Sequence, residues 1–325
     1  MFLGKWKLPP SGGHMERQDG IYYQNMTMKQ VEYRVKKNDL IIIPLGATEN
    51  HGPHAAVGED IYLVCRMAEM VAEKTGCTVA QPFWYGSHPY HHLGMPGTVV
   101  IDDDAFKATL RGIMAGFWNA GFRKQILFNG HGQEYVIPSA IHQFAKRYQV
   151  PGIFINLNWW AISPQQIRDK EHGGPFETPF IHADEVETSY SLALFPELMK
   201  MEDAVNADVY GFLPNQARHI DKAANAYQRP ISWYGQMGAS AMEIYAYPKG
   251  VVGKATLAKA EKAIPGVEAI LDYMVELHND IMTKFPAGTL PPIEQVTQRN
   301  RADIDAVIKG PLKGGRHIYT LAYPP

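Results

Sequence analysis

Cysteine is almost missing from this chain: Cys65 and Cys77 are the only two in 325 residues, and they form no CxxC pair. That count argues against a disulfide scaffold or a thiolate zinc ribbon. Neither thiol sits on a strand-end loop beside a histidine, which argues against a cysteine nucleophile. Long apolar runs are missing too, so no segment reads as a transmembrane helix. The start MFLGKWKLPPSGGH places lysines and prolines where a secretion signal needs its apolar stretch, and a cytoplasmic location is expected. Charge of one sign is not in excess, with 31 basic against 33 acidic residues. No basic stripe or recognition helix stands out, so nucleic-acid binding has no electrostatic footprint. No glycine fingerprint follows the first strand, which leaves a dehydrogenase reading unsupported. What is present, 46% apolar and 20% charged residues, suits one sizeable core with extensions.

Apolar segments at 40–45, 78–83, 124–129 and 152–157 read as strands, and helical spacing appears at 60–75, 104–120 and 134–148. Such alternation predicts an α/β fold, a mostly parallel sheet covered by helices on both faces. Helical spacing returns at 255–285, with Pro265 expected to kink or break it. Residues 1–37 and 286–325 read as N- and C-terminal extensions of a core domain spanning 38–285, and the proline-bearing C-terminal stretch could form an arm over a neighbouring subunit.

Chemistry concentrates where strands end. The run IIIPLGATENHGPHAAVGED places Glu49 and His51 just beyond the first strand and Asp60 eleven residues after Glu49. In extended backbone Glu49 and His51 share a side, and Asp60 falls at the start of the next helix, where it could cap or bind a metal. The plain alternative is a loop acid, a turn histidine and an N-cap. The strand KQILFN then runs into Gly130-His131-Gly132, where glycines let the backbone approach something closely. In open α/β sheets, ligands bind beyond the carboxyl ends of strands, so Glu49, His51 and His131 converge on one rim. A third segment, His182-Ala-Asp-Glu185-Val-Glu187-Thr-Ser189, opens another helical pattern, and His182 and Glu185 at a spacing of three would share a helix face. The acids there could simply complement a helix N-terminus, but that does not account for His182. Asp102-Asp103-Asp104 before a helix is ordinary capping chemistry.

These residues resemble the creatininase (creatinine amidohydrolase) superfamily. Its pattern is Glu-x-His-Gly-Pro-His, an Asp eleven after the Glu, Asn-Gly-His-Gly, and His-Ala-Gly-Glu-x-Glu-Thr-Ser. His92-Leu-Gly-Met-Pro-Gly-Thr and Gly250-Val-Val-Gly253 match further family segments, so the resemblance spans roughly residues 38–285. It implies two divalent metal ions, zinc, manganese or iron, with Asp60 bridging, Glu49 and His131 completing one site, and His51 and Glu185 the other. Hydroxide held between the metals would attack a carbonyl carbon, and His182 would donate a proton to the leaving atom. Two departures stand out. Gly132 and Gln133 occupy the positions where true creatininases carry Tyr and a metal-binding Glu, which argues against creatinine. Asp184 stands where Gly is usual.

Around the rim, Ser87, His88, His92, Trp159 and Trp160 are candidates to contact substrate, together with Trp84, Tyr85 and Tyr90. Trp160 or its neighbour could close as a lid hinged at Gly173-Gly174. His54 and His92 are expected to support the ligands or face substrate, whereas His14, His142, His172, His219, His278 and His317 carry no pattern and read as surface or packed residues. A small, uncharged ring carbonyl is the expected substrate, a keto-inositol such as 3-dehydro-scyllo-inosose first. A cyclic amide or formamide is the alternative, and a non-catalytic metal-stabilised binding protein the third. The resemblance further implies a homo-oligomer, such as a hexamer.

Overall fold

The computed structural model describes residues 2–7, 20–89, 92–148, 150–207 and 247–291. A short antiparallel pair, β1 (Phe2–Leu3) and β2 (Trp6–Lys7), and helix α1 (Met28–Lys37) lead in. Thr27 and Gln30 cap α1 reciprocally, each side chain accepting the other's backbone N–H, which satisfies two otherwise orphaned donors.

The centre is a parallel sheet of β3 (Leu40–Leu45), β4 (Thr78–Val79), β5 (Lys124–Asn129) and β6 (Ile153–Asn158), in the order β4-β3-β5-β6. All residues of β3 and β5 are buried, because both faces of the sheet are covered; that is why β3 and the Ile126, Leu127 and Phe128 stretch of β5 read as apolar runs rather than alternating ones. Side chains still alternate between two cores. Leu40, Ile42, Ile126 and Phe128 pack on one face with α2 (Glu59–Thr75), the short α5 (Trp159–Ile162), α6 (Glu185–Leu194) and α7 (Ala260–Lys284). Ile41, Ile43, Leu45 and Leu127 pack on the other with α3 (Asp103–Ala120) and α4 (Ile137–Tyr148). The α/β architecture expected from the alternation is the one found.

Details differ for local reasons. The strand expected at 78–83 pairs regularly only over Thr78–Val79 and touches again at a single bridge, Leu45 to Phe83; Pro82 has no N–H to offer the ladder. Residues Ala255–Leu257 form a 3-10 turn, and α7 begins at Ala260 and continues through Pro265. A proline so near the first turn removes a single intrahelical bond, and the helix is not broken there. Asp102 accepts from the N–H groups of Asp104 and Ala105, so it is the N-cap of α3. Helices α2 and α3 stop at Gly76 and Gly121, both with left-handed backbone, as such ends favour.

Candidate metal centre

Just past the last residues of β3 and β5, the chain turns twice into the same space. Gly130 is there for steric reasons: a Cβ at that position would lie 2.0 Å from the Asp60 carbonyl oxygen. Without one, the loop after β5 can press against the start of α2 and set His131 beside Asp60. Asp60 is the second residue of α2 rather than its N-cap, which is Gly58; its side chain is therefore not consumed in capping.

Four imidazoles and four carboxylates meet there, all buried: Glu49, Glu59, Asp60 and Glu187 with His51, His92, His131 and His182. Asp60 divides its oxygens, Oδ1 lying 3.4 Å from His51 Nε2 and Oδ2 3.0 Å from His131 Nδ1. Glu49 Oε2 is 2.8 Å from His131 Nδ1, and its Oε1 is 2.7 Å from His92 Nδ1 and 3.9 Å from His182 Nδ1. Glu59 and Glu187 approach His51 Nε2 at 3.7 and 3.9 Å. Backbone carbonyls fix which ring nitrogen each histidine presents. His51 Nδ1 pairs with Glu49 O at 3.2 Å, His131 Nε2 with Ser87 O at 3.1 Å, and His182 Nε2 with Asn50 O at 2.8 Å. Each therefore turns its other nitrogen to the cluster, the arrangement that orients metal-binding imidazoles.

Electrostatics in the cluster are strained towards cation binding. Burial pushes the Glu49 carboxyl up, but His92, His131 and His182 overcome it and hold it well below its ordinary range. Burial likewise works against protonated His51 and His131, yet Glu59 and Asp60 keep His51 well above its usual value, and Glu49 and Asp60 raise His131 to about 10. Burial wins at His182, which falls to about 3, and at His88, also to about 3. Burial also raises Glu59 and Glu187 above the ordinary carboxyl range.

Three sets of side chains bring ligand atoms close enough to share an ion: Glu49 with His88, His92 and His131; Glu49 with His51 and His182; and His51 with Asp60 and Glu187. Glu59 Oε2 is buried without a hydrogen-bond donor, and Glu49 Oε1 and Asp60 Oδ2 face only imidazole nitrogens that could themselves be metal ligands. Leaving such atoms unsatisfied is costly, and a cation removes that cost. Nitrogen and carboxylate donors without sulfur suit zinc, manganese or iron, so the residues fit the metals that the sequence resemblance implies.

The structure changes one expected ligand. Glu185 is not in the cluster: its Oε2 accepts from the backbone N–H groups of Glu177 and Thr178 at 2.8 and 3.0 Å and from the Thr178 hydroxyl, and its Oε1 pairs with Lys262. From this segment it is Glu187 that approaches His51, alongside Asp60 and Glu59. The cause is local, because Ala183 has φ +46° and α6 begins only at Glu185. His182 thus lies outside the helix and the assumed spacing of three on one helix face does not apply. Asp184, the residue in the place of a usual glycine, caps α6 through the N–H groups of Val186 and Glu187.

A cavity of about 490 Å³ opens over the cluster. Of the residues expected to contact substrate, His92 and Trp160 line it, and Trp84, Tyr85, Ser87, His88 and Trp159 do not. Ser87 donates its hydroxyl to Asp103 and offers its carbonyl to His131, so it supports a ligand. His88 lies behind, its ring 4.5 Å from that of His131. Trp159 is fully buried against Tyr190 and Phe180. Tyr90 lies outside the described residues. The Gly173-Gly174 pair is no open hinge: both N–H groups are bonded back, to Lys170 O and Asp169 O, and a Cβ on Gly174 would meet Arg168 O at 1.9 Å. Sequence reasoning passed over Glu59, Glu187 and His172. Glu59 could have been found as the acid adjoining Asp60, but His172 has no signal except its place in the folded wall.

A parallel sheet with a cluster of carboxylates and imidazoles at its carboxyl rim, under a substrate-sized cavity, defines the metal-dependent hydrolase class. The sequence family described as Creatininase (creatinine amidohydrolase) matches residues 24–278, and the chain belongs to it. The chain is 62% identical over 307 residues to a 3-dehydro-scyllo-inosose hydrolase of Thermotoga maritima, covering 94% of this chain and 98% of the relative. It is 28% identical to a creatinine amidohydrolase of Pseudomonas putida, over 62% of this chain and 83% of that protein. A crystal structure of creatinine amidohydrolase superposes with a TM-score of 0.64 at 22% identity, covering 82% of this chain and 99% of the other, a likeness of fold. Among the described residues no helix is long and apolar enough to cross a membrane.

Proposed function

We propose that this protein hydrolyses a small cyclic polyhydroxy ketone, 3-dehydro-scyllo-inosose or a close relative, with two divalent ions that Glu49, His51, Asp60, His131 and Glu187 would hold. The observation that carries the metal assignment is the division of the Asp60 oxygens between two sets of ligands. Glu49 and His131 stand on one side and His51 and Glu187 on the other. The relative named for that substrate supports the choice of ring.

When bound, such a pair of ions activates water at neutral pH and polarises the carbonyl. The chain's own residues do the rest. Asp60 and Glu49 concentrate negative charge where the ions sit, and Trp160 with Pro179 and Phe180 supplies an apolar wall that keeps bulk water from the reacting ring. His182, neutral and with Nε2–H committed to Asn50 O, presents the Nδ1 lone pair. It must first take a proton before passing one on, so it acts as base and then acid. In a 1,3-diketone ring, addition of water across one carbonyl is followed by cleavage of its bond to the carbon between the two carbonyls. The electron pair stays on that carbon as the enolate of the second ketone, a proton returns to it, and an open-chain keto acid results.

The experiment is a mass-spectrometric screen of metal-loaded protein against 3-dehydro-scyllo-inosose, creatinine and formamides. Gain of one water on the inosose, lost in Asp60→Asn, is the expected result. Formate release or turnover of the cyclic amide instead would replace the substrate assignment, and bound metal without any turnover would favour a binding protein. The same reading has the chain assembling with copies of itself, and a monomer by light scattering at micromolar concentration would refute that part.

A further inference from the structure

The polar groups of the cavity wall fall into two sets. One is the carboxylate and imidazole cluster; the other is Arg168, Asp169 and His172, which belong to none of the metal-capable groups. The lining between them is largely apolar, from residues such as Trp160, Ile167 and Phe180. A pocket that only needed to exclude water would not carry the second set.

Asp169 and His172 are a built unit. Asp169 is 5% exposed, and its Oδ1 accepts both the His172 backbone N–H at 2.8 Å and the His172 ring at Nδ1 at 2.7 Å. The loop beneath is held by Lys170 N–H to Phe176 O at 2.7 Å and Gly174 N–H to Asp169 O at 2.8 Å. With Nδ1 donating to the carboxylate, the ring is fixed in orientation and tautomer, and Nε2 is left as an acceptor. Arg168, the next residue along, brings only donors. An alcohol hydroxyl both donates and accepts, so an imidazole acceptor and a donor-only guanidinium from the same stretch of cavity wall match it on both counts. A ring bearing several hydroxyls needs such a station away from the carbonyl that is attacked, to fix which carbonyl faces the metals.

We infer that Asp169, His172 and Arg168 form a hydroxyl-recognition subsite that selects polyhydroxylated rings, with His172 Nε2 contacting the substrate and Asp169 acting as its positioning residue. This rests on the proposed cyclic polyol substrate, and the test separates the two. Binding of a mono-ketoinositol, which has the hydroxyls but lacks the second carbonyl, is measured by calorimetry on the wild type, His172→Ala and Asp169→Asn. Turnover of the diketo-inositol and of cyclohexane-1,3-dione, which keeps both carbonyls and has no hydroxyls, is measured alongside. Loss of a hydrogen bond to a substrate hydroxyl is expected to weaken mono-ketoinositol binding by about tenfold to a hundredfold in His172→Ala. KM for the diketo-inositol should rise by the same factor with kcat nearly unchanged, the pattern of lost uniform binding. Any activity on cyclohexane-1,3-dione should be unaffected. Asp169→Asn should move binding in the same direction with an unchanged melting temperature, which a merely structural role would not give. Wild-type binding of the mono-ketoinositol that depends on His172, without diketo-inositol turnover, would sink the proposed reaction and leave the subsite standing. Equal binding by wild type and His172→Ala, or no cyclitol binding by the wild type, would overturn the subsite itself.

Discussion

Strands β3 and β5 carry buried charge at both ends, and the two ends are finished differently. At the amino end, Lys124 pairs with Asp39, each 1% exposed. The pair is closed by the Gly288 N–H, which donates to Asp39 Oδ2 at 3.1 Å, and by Pro286 O, 3.5 Å from Lys124 Nζ. At the carboxyl end, four buried carboxylates crowd against imidazoles, and Glu59 retains a buried oxygen without a donor. A buried ion pair that is complete within the chain reads as structure. One that is left incomplete reads as a place for something that is not chain. The comparison also separates two uses of buried charge: the first fixes how β3 and β5 meet, whereas the second stores negative charge for a cation.

The largest effect should come from removing the shared carboxylate. Asp60→Asn is expected to lower turnover by about a thousandfold, above the 10- to 100-fold that outer partners of a metal site command, and to lower bound metal measured by elemental analysis. Chelation should likewise lower the melting temperature of the wild type, by an amount that grows with the metal concentration in the reference sample. A chelated protein that melts where the loaded one does would show that the carboxyl rim is as complete as the amino end.

Breaking the finished end should cost stability and spare the metal. Lys124→Met leaves Asp39 buried without its partner and is expected to destabilise by about 3–5 kcal/mol. The double variant Lys124→Met with Asp39→Leu removes both charges and should recover most of that loss. Urea unfolding of the three proteins measures it; a double variant as unstable as the single one would mean that the pair is not the unit.

Glu185 and Glu187 allow a finer test, since they are two residues apart on one helix. Glu187→Gln should lower metal content. Glu185→Gln should keep the metal and instead loosen the wall at Glu177 and Thr178, seen as faster amide exchange in that segment. Metal loss from Glu185→Gln and not from Glu187→Gln would reverse the assignment made from the geometry.

Sheet and rim were legible in the sequence because β3 is covered on both faces and reads as a continuous apolar run, as do Ile126, Leu127 and Phe128 in β5, and the ends of these runs mark where the chain emerges. Glu49, His51 and His131 follow directly from those ends. What was hidden depends on backbone dihedrals that no spacing reveals. The φ of +46° at Ala183 takes His182 off the helix; Glu185, the ligand that the family resemblance implied, points into the loop at 177–178, and Glu187 reaches the cluster. Substrate contacts were harder still, since His172 reaches the cavity through a turn that depends on Gly174 and on Asp169, neither of which announces itself locally.

The smallest effect tests the amino end from a third side. His278 on α7 is 5% exposed, and its Nε2 lies 2.9 Å from the Asn38 amide nitrogen, so the amide donates and the ring must be neutral there. Burial pulls the His278 pKa below its ordinary value, against a smaller opposing contribution from Asn279. A histidine with a folded pKa below its unfolded value of about 6.5 contributes its full stability above that pH and loses it as the pH falls through the folded value. His278→Gln keeps an acceptor for Asn38 without a titrating proton. Melting temperatures of the two proteins should therefore differ by a constant above about pH 6.5 and diverge below it in favour of the glutamine variant. Parallel curves from pH 5 to 8 would mean that the ring and the amide do not hold α7 to the start of β3 in this way.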